Sequence, residues 1–271
     1  MNRRRIPTTT ARRERGMTLI EILVALAVTS FLLVGLFTIV QTMLLVSNNQ
    51  NSLAQLQDNE RLAMTRIGDV VQQTGYYTSQ LTKTPGSALP AATFNVGTQT
   101  LTFAADQGVF GTHVASPAPQ DSITVRYNAG PLDSLVNCDG STATVVGIIY
   151  NTFTIDANGN LTCTISTTVA GVTTVGSPVI LLAGMKDMVI LYGVNTTTTS
   201  SNPVDSYITA SSMTAANWNN VLSVHVSLQF NNPLFSASTS APYSQQYPQQ
   251  KPYIQVSRLI DVMNRAGVNA G

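Results

Sequence analysis

Residues 15–40 read Arg15-Gly16-Met17-Thr18-Leu19-Ile20-Glu21, followed by ILVALAVTSFLLVGLFTIV from Ile22 to Val40. The second part is an apolar window with few polar interruptions, and no charged residue occurs from Ile22 to Gln57. A bilayer core takes about 20 such residues as a helix. On the N-terminal side, residues 1–16 carry Arg3, Arg4, Arg5, Arg12, Arg13 and Arg15 against Glu14 alone. A basic flank ahead of an apolar run predicts a cytoplasmic N-terminus with the remainder outside. A secretory signal fits poorly. Its apolar region is about 7–15 residues and ends at a small-residue cleavage site, which Ser47–Asn51 does not offer. Glu21 stands at the head of the run, where a carboxylate in lipid costs a few kcal/mol. Either it lies solvated at the interface, or it meets a positive charge from another chain.

Working outward, apolar residues continue at helical spacing through Leu45, Leu53, Leu56, Leu62, Ala63, Ile67, Val70 and Val71. Gln55, Asp58, Glu60, Arg61, Arg66 and Asp69 lie between them, and no proline occurs from residue 8 to residue 84. One helix is predicted from Met17 to Gln73, roughly 80–85 Å long. Its first half is apolar all round and belongs in lipid or a bundle. Its second half is amphipathic and should pack on a soluble domain. Gly35, among β-branched residues, is the expected soft point.

After Tyr77 the texture turns to short β-type runs between turn residues. Strands are expected over Thr93–Ala104, Ser122–Tyr127, Val145–Ile155, Leu161–Thr167, Val179–Leu182, Met188–Tyr192, Val221–Phe230 and Tyr253–Val256. Val224, Val226, Leu228 and Phe230 alternate cleanly, which marks a half-buried strand. Asp156–Asn160 reads as a hairpin turn. Thr196–Asn202 and Ser236–Pro252 read as polar loops, and Arg258–Ala266 fits a short helix or a final strand. The fold class is therefore α+β, a long N-terminal helix on a β-rich head. Its expected segments are 1–16, 17–46, 47–73 and 74–271.

Composition narrows the chemistry. Charged residues are 10% of the 271, against a usual ~25%. The formal charge of +1 is a composite. Residues 1–16 sum to +5, and the rest, with 8 basic and 12 acidic residues, to −4. No nucleic acid partner is expected from such a balance. Cys138 and Cys163 both fall in the part expected outside the cytoplasm, where oxidising conditions favour a disulfide over two free buried thiols. That bridge would close a loop of about 25 residues and stabilise by roughly 3 kcal/mol. His113 and His225 are far apart, and His225 should face away from the apolar side of its strand. Asp156-Ala-Asn-Gly-Asn160 opens like a calcium loop, but Leu161 and Thr167 occupy positions that need glycine and an acid, so a turn is the expectation. Asp106, Asp121, Asp133 and Asp187 form no obvious pair. No nucleophile elbow, zinc helix or phosphate loop appears. No enzyme activity, cofactor or metal is expected.

The residues Gly16-Met17-Thr18-Leu19-Ile20-Glu21 behind an arginine-rich leader resemble the class III signal of type IV pilins and pseudopilins, G-[FM]-T-L-x-E before an apolar helix. The resemblance implies cleavage after Gly16 by a prepilin peptidase and N-methylation of Met17. It also implies that Glu21 neutralises the Met17 ammonium of a neighbouring subunit in the filament. Leu56-Gln-Asp-Asn-Glu-Arg61, Gly75-Tyr76, Leu191-Tyr-Gly-Val194 and Trp218-Asn-Asn-Val221 are similar to the PilW-type minor pilins. Residues 78–177 and the tail carry no recognisable signature. A PilW-type role implies a priming and tip complex in type IV pilus assembly. Its partners would be other minor pilins, the major pilin, an inner-membrane platform with a cytoplasmic ATPase, and a tip adhesin. The location implied is the bacterial inner membrane, single-pass with a periplasmic head, and then the pilus. The alternatives are a larger pseudopilin of a type II secretion system and a tip adhesin or DNA-uptake module.

Overall fold

The computed structural model describes residues 18–78, 81–114, 120–197, 203–235 and 251–263. The expected leader, most of the Thr196–Asn202 loop and nearly all of Ser236–Pro252 lie outside the described residues. One helix, α1 (Leu19–Gln72), runs for 54 residues, close to the predicted bounds and with no break at Gly35. The chain divides into two compact units at Ser52 and Leu53.

In the first unit the apolar side chains of α1 are uncovered by any other described residue. Leu19 to Val46 stand exposed, Phe31 by 80%. The hydroxyls inside this run are turned back on the helix. Thr29 donates to the Ala25 carbonyl at 2.6 Å, Ser30 to Ala27 at 2.9 Å, Thr38 to Gly35 at 2.7 Å and Thr42 to Thr38 at 2.8 Å. Every hydroxyl between Leu19 and Val46 thus has a partner of its own, which is what an apolar solvent demands.

In the second unit α1 buries Leu56, Ala63, Met64, Ile67, Gly68, Val70 and Val71, one stripe at helical spacing. The helix stops where Gly75 adopts φ +74°. The Gly75 N–H then donates to the Arg126 carbonyl at 2.9 Å, and Asn128 N–H donates to the Tyr76 carbonyl at 2.8 Å. The Gly-Tyr pair is thus the joint between helix and sheet.

Among the described residues the head has a two-stranded hairpin and two larger antiparallel sheets. The larger contains β3 (Val109–Thr112), β4 (Ser122–Ala129), β5 (Gly147–Ile155), β6 (Leu161–Val169) and β7 (Val172–Val175) in that order, and β8 (Val179–Leu182) also pairs with β6. The smaller has the order β10 (Ser206–Ile208), β9 (Met185–Val194), β11 (Val221–Asn231), β12 (Tyr253–Asp261). Inward residues of both sheets and the α1 stripe form one core. Val224, Val226, Leu228 and Phe230 are buried in it as their alternation predicted, and His225 is half-buried on the opposite face.

Several expected bounds need correction. Thr93–Ala104 is a hairpin, β1 (Ala92–Val96) and β2 (Gln99–Phe103), because Gly97 takes φ +59° and reverses the chain. The β5 strand begins at Gly147, leaving Val145 and Val146 exposed. Short β3, β7 and β10 carry too few residues for periodicity to show. The Arg258–Ala266 question resolves as strand through Asp261. The Asp156–Asn160 turn stands. Asp156 accepts from the backbone N–H groups of Asn158 and Asn160 at 2.9 Å each and from the Asn160 side chain at 2.8 Å. Those donors hold its carboxyl below the usual range.

The outer face of the larger sheet explains where much of the threonine goes. Opposed hydroxyls pair across strands: Thr124 with Thr152 at 2.9 Å, Thr154 with Thr162 at 2.9 Å, Thr168 with Thr173 at 2.7 Å, Thr112 with Ser122 at 2.7 Å. A β-branched side chain suits the pleat, and a hydroxyl is both donor and acceptor, so such pairs satisfy one another. The β1–β2 hairpin covers one end of this face. Leu89, Leu101, Phe103, Ile148 and Tyr150 form a second, small core there.

Arg126 holds that second core in place. Its side chain is fully buried on the hydroxyl face of β4. Nε donates to the Gln107 carbonyl at 2.5 Å, Nη1 to Pro90 at 2.7 Å, and Nη2 to Leu89 at 3.2 Å and Ala104 at 2.6 Å. The guanidinium also lies 4.7 Å from the Phe103 ring centroid. Burial pulls its pKa down. Four carbonyls converging on one cation leave several buried acceptors unpaired if it is removed. Arg126→Met should destabilise the head by on the order of 3 kcal/mol in urea denaturation of the full chain in detergent. Arg126→Lys, with a cation but no planar fork, should fall between it and the parent.

Candidate assembly interface

The start of α1 is built from the motif itself. Thr18 is the residue before the helix and Glu21 the third residue within it. The Thr18 N–H donates to Glu21 Oε2 at 3.2 Å, the Thr18 hydroxyl donates to the same oxygen at 3.3 Å, and the Glu21 N–H donates to Thr18 Oγ1 at 3.4 Å. This is a capping box, two otherwise orphaned N–H groups satisfied reciprocally. The acid also sits at the positive end of the helix dipole. Glu21 therefore has a role within its own chain in addition to the expected inter-subunit one. The signal was legible, since Thr-x-x-Glu before an apolar run is a helix-start pattern. Gly16 and Met17, the expected cleavage and methylation positions, lie outside the described residues.

Beyond the cap, α1 holds an 18-residue window of mean hydropathy 2.6, none of it buried against the chain. It is long and apolar enough to cross a membrane. A helix apolar on all sides needs an apolar environment on all sides. At Gly35, a Cβ would meet no atom within 4 Å.

In the head, a disulfide joins Cys138 to Cys163 with Cα atoms 5.9 Å apart. It ties the loop between β4 and β5 to β6. Cys138 N–H donates to Asn151 Oδ1 at 2.8 Å, and Tyr127 donates its hydroxyl to Asn137 Oδ1 at 2.6 Å. Burial pushes the Tyr127 hydroxyl up to about 12. The other two signature pieces meet in space: Tyr192 of β9 and Trp218, on the one-turn helix Ala215–Trp218, pack edge to face at 4.9 Å.

Some of the titratable groups that sequence spacing left scattered, Asp121, Asp187 and His113, come together at one point. Asp121, buried, accepts from the Ile190 N–H at 2.7 Å, and its own N–H donates to the Met188 carbonyl at 3.2 Å. Its second oxygen lies 2.7 Å from His113 Nδ1. Asp121 thereby joins β9 to the larger sheet. Asp187 lies close by with one buried oxygen unpartnered. Its burial, and then the Asp121 charge, push its carboxyl above the usual range, against the pull of the Met188 N–H, Lys186 and His113. Asp121 and Asp187 are thus electrostatic neighbours, contrary to the expectation from spacing. The partners arrive from residues tens of positions apart, so no local pattern announces them. Among the described residues no group of three or more His, Cys, Asp or Glu is placed to hold a metal ion.

Comparison with known families follows this geometry closely. Residues 11–37 match the prokaryotic N-terminal methylation motif, which defines a class III signal prepilin. Residues 152–265 match the family described as Type IV Pilus-assembly protein W. The second match begins at β5 and runs past β12, so it reaches into the middle and tail where no signature had been read. The resembling stretch from Leu56 to Tyr76 lies outside both matches. No curated protein and no solved structure matches the chain.

The raised Asp187 carboxyl has a sign that can be checked. A folded-state pKa above the unfolded one favours folding at low pH, and that contribution is lost as pH rises through the folded value. Asp187→Asn should therefore raise the melting temperature of the full chain at neutral pH. The gain should shrink to nothing as pH falls below the ordinary carboxylate range. Thermal melts from pH 3 to pH 8 test this.

Proposed function

We propose that this chain is a minor pilin that joins a priming and tip complex for type IV pilus assembly. It is made as a prepilin, cleaved after Gly16 by a prepilin peptidase and methylated on Met17. Helix 17–46 waits in the inner membrane and then enters a multi-subunit bundle, and the head from residue 74 onward faces the periplasm and later the cell exterior. Its role is structural, without catalysis, in keeping with families of structural pilins. The partners are the peptidase, the major and minor pilins and the membrane platform, with a tip adhesin at the distal end.

The observation that carries this reading is the pairing of a capped carboxylate, Glu21, with a following apolar helix that no other described residue covers. Lipid covers that helix before assembly, and neighbouring helices cover it afterwards. In such a bundle Glu21 keeps its hydrogen bonds to Thr18 and adds the Met17 ammonium of a neighbour, which relieves the desolvation of both charges. The match to a pilus-assembly family favours a pilus over a secretion system.

Glu21→Ala should leave cleavage after Gly16 intact on immunoblots while lowering incorporation into sheared filaments at least severalfold. Normal incorporation would sink the role given to Glu21. Deleting the gene should abolish or sharply reduce surface filaments in electron micrographs. Retained piliation with impaired secretion would transfer the protein to the secretion-system reading.

A further inference from the structure

Asn158-Gly159, in the turn between β5 and β6, is the one Asn-Gly pair in the chain. Asparagine is among the chemically labile residues, and a following glycine, with no Cβ, leaves its own nitrogen unhindered. That nitrogen can attack the asparagine carboxamide. A bond forms between Gly159 N and Asn158 Cγ, the Cγ–Nδ2 bond breaks, and Nδ2 leaves as ammonia with the Gly159 amide proton. Water then opens the resulting succinimide at either carbonyl and leaves aspartate or isoaspartate. Water is the only co-reactant.

Asn158 is exposed, and its carboxamide makes no hydrogen bond to another described residue. The backbone around it is held instead. The Gly159 N–H donates to the Asp156 carbonyl at 3.0 Å, and the Asp156 N–H to the Asn160 carbonyl at 2.9 Å. The Asp156 carboxylate takes the backbone N–H groups of Asn158 and Asn160 and the Asn160 side chain. An acid that bonds the backbone two and four residues on fixes a turn. Attack requires the Gly159 N–H to give up its proton, and the Asp156 carbonyl covers that proton. The turn therefore has to open before the reaction starts.

The same turn joins the two larger sheets. The Gly159 carbonyl accepts from the N–H of Met185, the first residue of β9, at 2.9 Å. Contact is close enough that a Cβ at Gly159 would meet the Met185 carbonyl oxygen at 2.7 Å. We propose that Asn158 is a site of spontaneous deamidation, and that the Asp156 hydrogen bonds set its rate by keeping the turn closed. Either product alters the joint. Isoaspartate lengthens the main chain by one carbon just before Gly159 and carries Gly159 off Met185. Aspartate places a second negative charge two residues from Asp156, where like charges oppose each other. The turn so acts as a slow chemical clock on the contact between the sheets.

The test incubates the full chain in detergent micelles at mildly alkaline pH and follows each asparagine by peptide mass spectrometry, beside a sample unfolded in urea. Asn158 should deamidate first among the asparagines in urea, and at least tenfold more slowly in the folded chain. Asp156→Ala should speed the folded reaction at least fivefold. Asn160→Ala, which removes one of the three bonds to the carboxylate, should fall between that variant and the parent. Asp156→Asn, whose side-chain oxygen still accepts, should stay near the parent. The Ile190 amide should keep its exchange protection in Asp156→Ala, which assigns the acceleration to local opening of the turn. In the deamidated fraction the Met185 amide should exchange faster than in the parent. Equal rates in the folded chain and in urea would overturn the proposal. So would a parental rate in Asp156→Ala, acceleration there only with loss of Ile190 protection, or unchanged Met185 exchange after deamidation.

Discussion

A helix that runs without interruption from Leu19 to Gln72 has to satisfy two solvents with one backbone. Where its surroundings are apolar, the backbone and the hydroxyls need partners inside the helix. The main-chain ladder supplies them for the backbone, and the hydroxyls of Thr29, Ser30, Thr38 and Thr42 find theirs on carbonyls one turn back. Where a protein core is the solvent, only one stripe is apolar, and it shares a single core with residues of both sheets. The head is built on that stripe. At the joint, the Gly75–Arg126 and Asn128–Tyr76 hydrogen bonds tie the end of the helix to β4, so helix and sheet are fixed together.

What sequence could reveal follows the range of the forces involved. The helix is legible almost to the residue because its causes are local: apolar spacing and absent proline. Strands with clean alternation, such as Val221–Asn231, were equally plain. The hairpin within Thr93–Ala104 was misread as one run because the reversal depends on a single glycine conformation at Gly97. The edge strands β7 and β10 are three or four residues long, and pairing rather than periodicity makes them strands.

The buried polar groups lay further from view. Arg126 is the one charged residue in Ser122–Ala129, but its four carbonyl partners come from residues 19 to 37 positions earlier in the chain. The Asp121 contacts with His113 and β9 depend on how two sheets meet, and hydropathy carries no record of that. The capping box is a different case. Thr18 and Glu21 form a Thr-x-x-Glu pattern, so the hydrogen bonds of the cap follow from four adjacent residues.

The paired hydroxyls on the larger sheet have a consequence for where such a head works best. A cross-strand contact made by two ions weakens as salt screens it and disappears when one partner titrates. Two threonine hydroxyls have no charge to screen and no proton to exchange across ordinary pH. The threonine-rich composition therefore gives the larger sheet cross-strand hydroxyl pairs that are nearly indifferent to ionic strength and acidity. For a subunit that the proposed assembly carries outside the cell, into a medium the cell does not buffer, those pairs hold the strands together whatever the salt or acidity of that medium.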